Sequence, residues 1–505
     1  MTATAVIKEH EVKRPEREYL DLKRSDFIWP LAFMLSMSMI GLSFPLGLLL
    51  VPLVMFHRFQ NDRYDFVIQL TIFLGGYSLI YSGNVYFDLS LLSFAISLVA
   101  ILLLRKAPVL KKTLWLLIVY FIGLLWIVSY SDESLAVQWP GIRSYMAIVY
   151  LFVPFLVFSG REFNIRILFR HLFVYAFIFC AYYIIDCVIM GGVFFLSYEI
   201  TLHALNFFPP FYAPWLNPLS FEFPRRWPPG LYILLLLAYP AGRFYKLRVW
   251  QWLLVLGALL VCRTFTFTMA LIIGYLFCRA TGRQIIYYSI AFVAGFVALY
   301  FADGMMGSKT VTGEDGVEHT ATTLRIKSQI DQILFFDETD EETLAAIGTG
   351  RGAQIIPKFE LLYSMGKEWT GFGFLSRQMT KQTKYIIDNE MYENPDIEQE
   401  VATGVESMPF QIILDVGYIG LIFHIVIFIL LWLIVRRLPY SLFFTSTMLM
   451  FVFIGISGMQ GLVRYDSLQM VGLAYAAVIM NEKRRLPGFD LPPERHKPAI
   501  KSRRP

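Results

Sequence analysis

The sequence is dominated by long runs of apolar residues that contain almost no charge. Most runs are about 16–25 residues long, the length at which an α-helix crosses a hydrocarbon layer of roughly 30 Å. Hydrophobic residues make up 56% of the chain and charged residues 16%, against about 25% charged in a typical soluble domain. Because the runs do not alternate strictly between polar and apolar residues, they predict membrane helices and not the strands of a barrel.

We predict an all-α fold, a polytopic bundle of about 12–14 transmembrane helices. The first segment, 27–57, is predicted to be a pair of short helices broken near Pro45. The further segments are 64–82, 88–104, 113–130, 142–159, 168–192, 228–242, 247–262, 264–279, 285–303, 408–435, 440–457 and 465–481.

Positively charged residues fix the expected orientation, since short cytoplasmic loops carry an excess of lysine and arginine. Placing the N-terminus inside puts almost all of the short-loop charge on the inner side, including Arg105, Lys106, Arg161, Arg436 and Arg437. The N-terminal segment lacks a signal-peptide pattern, so the first apolar run is expected to act as an uncleaved signal. The chain is therefore predicted to lie in a bacterial inner membrane with both termini in the cytoplasm.

This orientation divides the chain into five parts. They are a cytoplasmic segment (1–26), a transmembrane region (27–303) with a periplasmic loop at 193–227, a large periplasmic loop (304–407), C-terminal helices (408–481) and a basic cytoplasmic tail (482–505). The large loop is expected to be mostly helical, with helices near 322–336 and 352–366. Loops of this length are uncommon unless they serve a function.

Several classes of site are not indicated. The sequence has no phosphate-binding loop of the Walker type, no dinucleotide fingerprint and no cysteine–histidine spacing of a metal site. The four cysteines all lie in or beside apolar runs, which argues against a disulfide framework. We therefore expect no cofactor, no metal and no nucleic-acid partner.

Five arginines on the predicted outer side stand out, because the orientation rule does not explain them; Arg464 is a sixth, weaker case. The five are Arg143, Arg225, Arg226, Arg263 and Arg351. Arginine stays charged and binds phosphate oxygens through a planar fork, so a cluster at this depth suits a lipid-linked pyrophosphate. The alternative is that each one is an interfacial anchor that extends towards the headgroups.

Four sequence elements follow one another between residues 224 and 420. They are Arg225-Arg226-Trp-Pro-Pro-Gly230, Cys262-Arg263-Thr264, Gly350-Arg351 followed by Gly371-Phe-Gly373, and the stretch from Glu406 to Gly420. On these elements the chain resembles the superfamily of bacterial O-antigen polymerases and O-antigen ligases. Proteins of this superfamily act on undecaprenyl-pyrophosphate-linked glycans at the periplasmic face.

The departures from the family pattern bear on the choice between its two activities. Ligases usually carry a histidine where this chain has Glu406, and the chain has no histidine between His319 and His424. Cys262 stands where the family has serine, and the proline before Gly371 is missing. The absent histidine favours a polymerase of O-antigen, capsule or exopolysaccharide.

The resemblance implies an inverting, metal-independent glycosyltransferase. It assigns Arg225, Arg226, Arg263 and Arg351 to the pyrophosphate, with Arg143 as a further partner. Arg263 and Arg351 would also act in catalysis, and Glu406 is the candidate base. Two residues complete the hypothesis: Glu222 is an alternative base, and Asp415 is expected to shape the entry of its helix and not to perform chemistry.

Two other functions remain open. A ligase would transfer the glycan from undecaprenyl pyrophosphate to lipid A core, giving lipopolysaccharide, or to a protein. A polysaccharide transporter or flippase would need charged or broken helices in the membrane, for which Asp186 is the main sequence candidate. The expected partners are the lipid-linked glycan, the bilayer and other polysaccharide assembly proteins such as a flippase or a chain-length regulator.

Overall fold

The computed structural model describes most of the predicted helical regions and parts of the loops. The described residues are 17–42, 44–76, 80–82, 85–87, 89–104, 108–129, 138, 142, 145–158, 161–189, 229–261, 265–279, 287, 290, 294, 301, 308–312, 318–322, 358–359, 361–373, 407–456 and 465–482.

The described chain is mostly helical, as the sequence predicts. A 3₁₀ helix at Arg24–Phe27 precedes the first α-helix, and another at Ala147–Phe152 precedes the sixth. The α-helices are α1 (Ile28–Leu42), α2 (Phe44–Asn61), α3 (Arg63–Gly76), α4 (Leu89–Leu104), α5 (Pro108–Val128), α6 (Val153–Val157), α7 (Ile165–Ile189), α8 (Pro229–Leu236), α9 (Ala238–Arg243), α10 (Val249–Val261), α11 (Phe265–Arg279), α12 (Met408–Val435), α13 (Ser441–Ile454) and α14 (Tyr465–Glu482).

Among the described residues, three pairs of short strands join distant or neighbouring segments. Strand β1 (Glu18–Tyr19) pairs in parallel with β4 (Tyr245–Lys246), which attaches the N-terminal segment to the loop before α10. Strands β2 (Ile80–Ser82) and β3 (Val85–Phe87) form an antiparallel pair. Strands β5 (Ser308–Thr312) and β6 (Glu318–Thr322) form another, inside the loop that we predicted to be mostly helical. The β-branched threonines and valine of this hairpin favour extended backbone over helix.

Two predicted crossings are divided into shorter helices. Segment 142–159 contains the 3₁₀ helix Ala147–Phe152 and the one-turn helix α6, and segment 228–242 contains α8 and α9. Both divisions lie next to a proline, Pro154 and Pro240. Proline has no backbone N–H to donate to the carbonyl four residues earlier, so a continuous helix is interrupted there.

The core lies around α7, α14 and the buried 3₁₀ helix at 147–152. Every side chain of that 3₁₀ helix is buried, and so are nearly all side chains between Leu468 and Met480. The two elements touch closely, since a Cβ added at Gly472 would lie 3.0 Å from the backbone nitrogen of Leu151. The absent side chain therefore lets α14 pack directly on the backbone of its neighbour.

Helix α12 is the one described helix long and apolar enough, by length and composition, to cross a membrane. It has 28 residues and a mean hydropathy of 2.8 in its most apolar window. This is the segment predicted at 408–435, and it also contains an internal break.

Candidate functional site at the break in helix α12

Gly417 interrupts α12 nine residues after the helix begins. Its backbone has φ 69° and ψ −175°, which is far from helical geometry and lies in a region open mainly to glycine. The break leaves backbone N–H and C=O groups on both sides without helical partners. Other parts of the chain must satisfy these groups, because buried backbone polar groups without partners are costly.

A segment of the large loop, residues 367–373, supplies those partners. The N–H of Phe372 donates to the carbonyl of Leu414 at 2.7 Å, and the N–H of Gly373 donates to that of Asp415 at 2.9 Å. In the opposite direction, the N–H of Tyr418 donates to the carbonyl of Glu368 at 2.9 Å. The loop segment thus pairs with the broken helix, and we call this region the Gly417 junction, residues 367–373 with 414–419.

Glycine is required on both sides of the junction. A Cβ on Gly417 would lie 2.2 Å from the carbonyl carbon of Trp369, and a Cβ on Gly371 would lie 2.5 Å from that of Asp415. Both glycines also have positive φ, 69° and 75°. The close backbone contact therefore depends on two glycines that are 46 positions apart in sequence.

The carboxylate of Asp415 lies buried beside the break. It accepts a hydrogen bond of 2.8 Å from the hydroxyl of Tyr145 and another of 2.8 Å from the side-chain amide of Gln411. Asp415 therefore links a third segment, around residue 145, to the junction. The sequence led us to expect Asp415 at the entry of its helix, whereas the structure places it inside α12, two residues before the break at Gly417.

A second buried polar group lies two turns below, at His424. Its Nδ1 is 3.1 Å from the hydroxyl of Tyr120, and its ring meets that of Tyr145 edge-on with centroids 5.9 Å apart. The other ring nitrogen, Nε2, is buried and has no hydrogen-bond partner among the described residues. These contacts form a polar column among the apolar side chains of the packed helices, made of Tyr120, His424, Tyr145 and Asp415.

The predicted site residues lie outside the part of the chain that the structure describes. These are Arg143, Arg225, Arg226, Arg263, Arg351, Glu406 and the alternative base Glu222. Their described sequence neighbours include Tyr145, which contacts Asp415, and Ser407, the N-cap residue of α12. Gly371 and Gly373, which carry part of the family resemblance, lie in the junction itself.

A group of charged side chains on the predicted cytoplasmic side was not found from the sequence. Arg58 contacts Asp62 at 3.1 Å and Asp65 at 2.9 Å, and His171 contacts the same two carboxylates at 3.3 and 3.1 Å. One ligand atom from each of Asp62, Asp65 and His171 lies within 4.8 Å of the others, a spacing that suits a metal ion. Because Arg58 already forms an ion pair with each carboxylate, we interpret the group as an ion network joining α2, α3 and α7.

No protein-family model, no curated protein and no solved structure matches the chain.

Proposed function

We propose that this protein is a polytopic membrane glycosyltransferase that polymerises undecaprenyl-pyrophosphate-linked oligosaccharide repeat units at the outer face of a bacterial inner membrane. The product would be an O-antigen, a capsule or an exopolysaccharide.

The exposed surfaces of the helices support placement in a membrane. Leu, Ile, Val, Phe and Trp side chains are exposed on several helices besides α12, including Leu53 and Phe56 on α2, Leu103 on α4 and Ile122 on α5. In contrast, Gln69, Ser97, Thr113 and Gln469 are buried between helices. Apolar surface of this extent is unfavourable in water and favourable against lipid.

The observation that carries the enzymatic proposal is the Gly417 junction. Two elements of the family resemblance, Gly371-Phe-Gly373 and the stretch from Glu406 to Gly420, are bonded to each other through backbone groups there. A sequence resemblance that arose by chance gives no reason for its separate elements to meet. Their contact supports a shared site, and we propose that Glu406 and Arg351, which lie close to these two elements in sequence, belong to it.

The depth of the junction suits a lipid-linked pyrophosphate. Residues 418–435 form a helix of about 27 Å at 1.5 Å per residue, close to the thickness of a hydrocarbon core of roughly 30 Å. Arg436 and Arg437 follow directly and mark the cytoplasmic end under the orientation rule. The break at Gly417 then lies near the outer boundary, where the pyrophosphate of a polyprenyl lipid is located.

The proposed reaction is a single displacement at the anomeric carbon of the donor glycan. A hydroxyl oxygen of the acceptor glycan forms the new glycosidic bond, while the bond between the anomeric carbon and the pyrophosphate oxygen breaks with inversion. Undecaprenyl pyrophosphate leaves with the electron pair, and the acceptor proton passes to Glu406. Arg225, Arg226, Arg263 and Arg351, with Arg143, would stabilise the charge that develops on the leaving group.

A transporter or flippase remains a second candidate, because one observation favours it. Carriers often place their substrate sites at interrupted helices, and α12 is interrupted beside the buried acid Asp415. The loop that closes the break argues the other way, since its backbone hydrogen bonds fill the gap where a carried substrate would bind. The ligase alternative shares every feature of the polymerase proposal and differs only in its acceptor.

The test is a gel of surface glycans from a strain that lacks the gene. Loss of long chains, with single repeat units still on a normal anchor, is the expected result. Bare anchor together with long polymer on undecaprenyl pyrophosphate would instead identify a ligase. An unchanged ladder would overturn both enzymatic functions.

A further inference from the structure

We propose that Tyr363, Trp369 and Tyr418 form a carbohydrate-binding platform on the outer face of the Gly417 junction, an inference that rests on the proposed function. Trp369 is 56% exposed and Tyr363 is 51% exposed, although both belong to a segment fixed against α12. The proposed ligand is the glycan part of the lipid-linked substrate and not its pyrophosphate.

The three rings form one surface. The hydroxyl groups of Tyr363 and Tyr418 are 2.6 Å apart, and the rings of Trp369 and Tyr418 meet edge-on with centroids 5.8 Å apart. Tyr363 also packs against Phe359, whose ring contacts Phe410 at the start of α12. The aromatic surface therefore spans the loop segment and both halves of the broken helix.

The backbone holds this surface in place before any ligand binds. Gly366 and Lys367 donate hydrogen bonds to the carbonyls of Tyr363 and Leu362, each at 3.0 Å. Ile419 donates to the carbonyl of Trp369 at 3.3 Å, which adds to the bond between Tyr418 and Glu368. A rigid aromatic surface loses little conformational entropy when it binds, which favours affinity.

The chemistry of the patch suits a sugar better than lipid tails. Sugars present C–H groups on their faces and hydroxyl groups on their edges, and tyrosine and tryptophan combine an apolar ring with a polar end. The phenol oxygens of Tyr363 and Tyr418 supply polar ends beside the rings, which suits the hydroxyl groups of a sugar.

The surfaces that we assign to lipid have a different composition. On α5 the exposed side chains include Trp115, Val119, Ile122 and Leu125, with no charged residue between them. The platform instead carries Ser364, Lys367 and Glu368 among its rings. These polar neighbours favour a hydrophilic ligand over the hydrocarbon layer.

The test measures binding by the full-length protein in lipid nanodiscs. The probe is the repeat-unit oligosaccharide released by mild acid from the lipid-linked intermediate of the deletion strain. We expect Trp369→Ala and Tyr363→Ala to weaken binding by about five- to tenfold, as expected for one lost aromatic contact, while Trp369→Phe retains most of the affinity. Trp126→Ala is the matched control, since Trp126 is 51% exposed near the predicted outer end of α5.

The outcomes separate this proposal from the enzymatic one. Equal affinity in the wild type and Trp369→Ala would overturn the platform, and so would equal losses in Trp369→Ala and Trp126→Ala, which would indicate interfacial anchoring. If the wild type restores long polymer while its affinity is insensitive to Trp369, the platform is wrong and the polymerase stands. If binding depends on Trp369 but no polymer is restored, the platform stands and the polymerase is wrong. Membrane abundance and thermal melting of each variant check that it folds.

Discussion

Tyr145 donates a hydrogen bond of 2.8 Å to the carboxylate of Asp415, a residue 270 positions further along the chain. Both side chains are buried, at 2% and 6% exposure. The bond fixes the backbone around residue 145 against the broken helix, two residues from the predicted phosphate ligand Arg143. We therefore regard Asp415 as a positioning residue of the proposed site.

Tyr145→Phe is expected to lower both thermal stability and polymer formation. The substitution keeps the ring but leaves a buried carboxylate oxygen without its donor, at a cost of about 1–3 kcal/mol. Tyr475→Phe is the control, because Tyr475 is also buried and is hydrogen-bonded to Thr113, away from the junction. Melting in detergent and a glycan gel measure the two effects. If Tyr145→Phe and Tyr475→Phe lower the melting temperature and shorten the glycan chains to the same extent, Tyr145 has no specific role at the junction.

Gly417→Ala is expected to displace the loop segment and to abolish polymer formation. The new methyl group would lie 2.2 Å from the backbone of Trp369, in addition to the strain of a positive φ. Gly366→Ala measures the cost of the positive φ without a steric clash, since Gly366 has φ 63° but no atom within 4 Å of the added Cβ. Gly366→Ala should therefore cost only about 1 kcal/mol of stability and retain activity. Limited proteolysis of the loop distinguishes the variants, and equal protection in both would contradict the contact at Gly417.

Arg263→Ala and Arg351→Ala are expected to leave the protein folded and inserted but to abolish chain extension. Each removes a charge proposed to stabilise the leaving pyrophosphate. Arg437→Ala is the control, because Arg437 is an exposed arginine on the predicted inner side. The chain-length pattern of surface glycans from complemented strains is the measurement. Normal polymer from both outer variants would refute a pyrophosphate clamp.

The ion pair between Asp26 and Arg170 is expected to make stability depend on pH in the acidic range. Partial burial acts to raise the pKa of Asp26, but the hydrogen bonds from Arg170 and the backbone of Lys23, with the charge of Arg170, lower it below its ordinary 3.8. The lowered pKa means that the stabilisation is present above pH 4 and is lost as the pH falls through the folded-state pKa.

Asp26→Asn measures this contribution. Because Asp26 and Arg170 are partly exposed, solvent screening limits the expected loss to roughly 0.2–1 kcal/mol at neutral pH. The difference in melting temperature between the wild type and the variant should shrink below pH 4 and disappear once Asp26 is protonated in both states. A difference that is constant from pH 7 to pH 3 would assign the effect to packing instead of charge.

Topology is tested by reporter fusions in the large loop. A fusion after Gly350 is expected to be active only as a periplasmic reporter, because the orientation rule places the whole loop outside. A fusion after Arg437 serves as the cytoplasmic reference. A cytoplasmic signal from Gly350 would place the junction and the outer arginines on the wrong side for the proposed substrate.

The sequence predicted some features of the candidate site because they depend on local properties. The segment 408–435 was predicted from an unbroken apolar run, and α12 has the same bounds. The family resemblance singles out Gly371 and Gly373, and the structure places both against α12. What could not be predicted was the partner of each group, since nothing local to Gly371 indicates that Asp415 lies against it.

The ion network of Arg58, His171, Asp62 and Asp65 shows the same limit. Arg58 and His171 lie 113 positions apart in sequence, and only folding brings them to the same two carboxylates. The prolines Pro154 and Pro240 did carry a local signal for the divided helices, because a missing N–H is a property of the residue itself.

By itself, the sequence determined a mostly helical protein with long apolar segments, because helix formation and hydrophobicity are properties of contiguous residues. The tertiary structure alone decided that one of these segments is broken at Gly417, that residues 367–373 close the break, and that Tyr145 reaches Asp415. Each of these features is a contact between groups far apart in sequence. Such a contact forms when packing buries two polar groups together, away from water. Because that packing depends on the whole chain, no pattern among neighbouring residues predicts it.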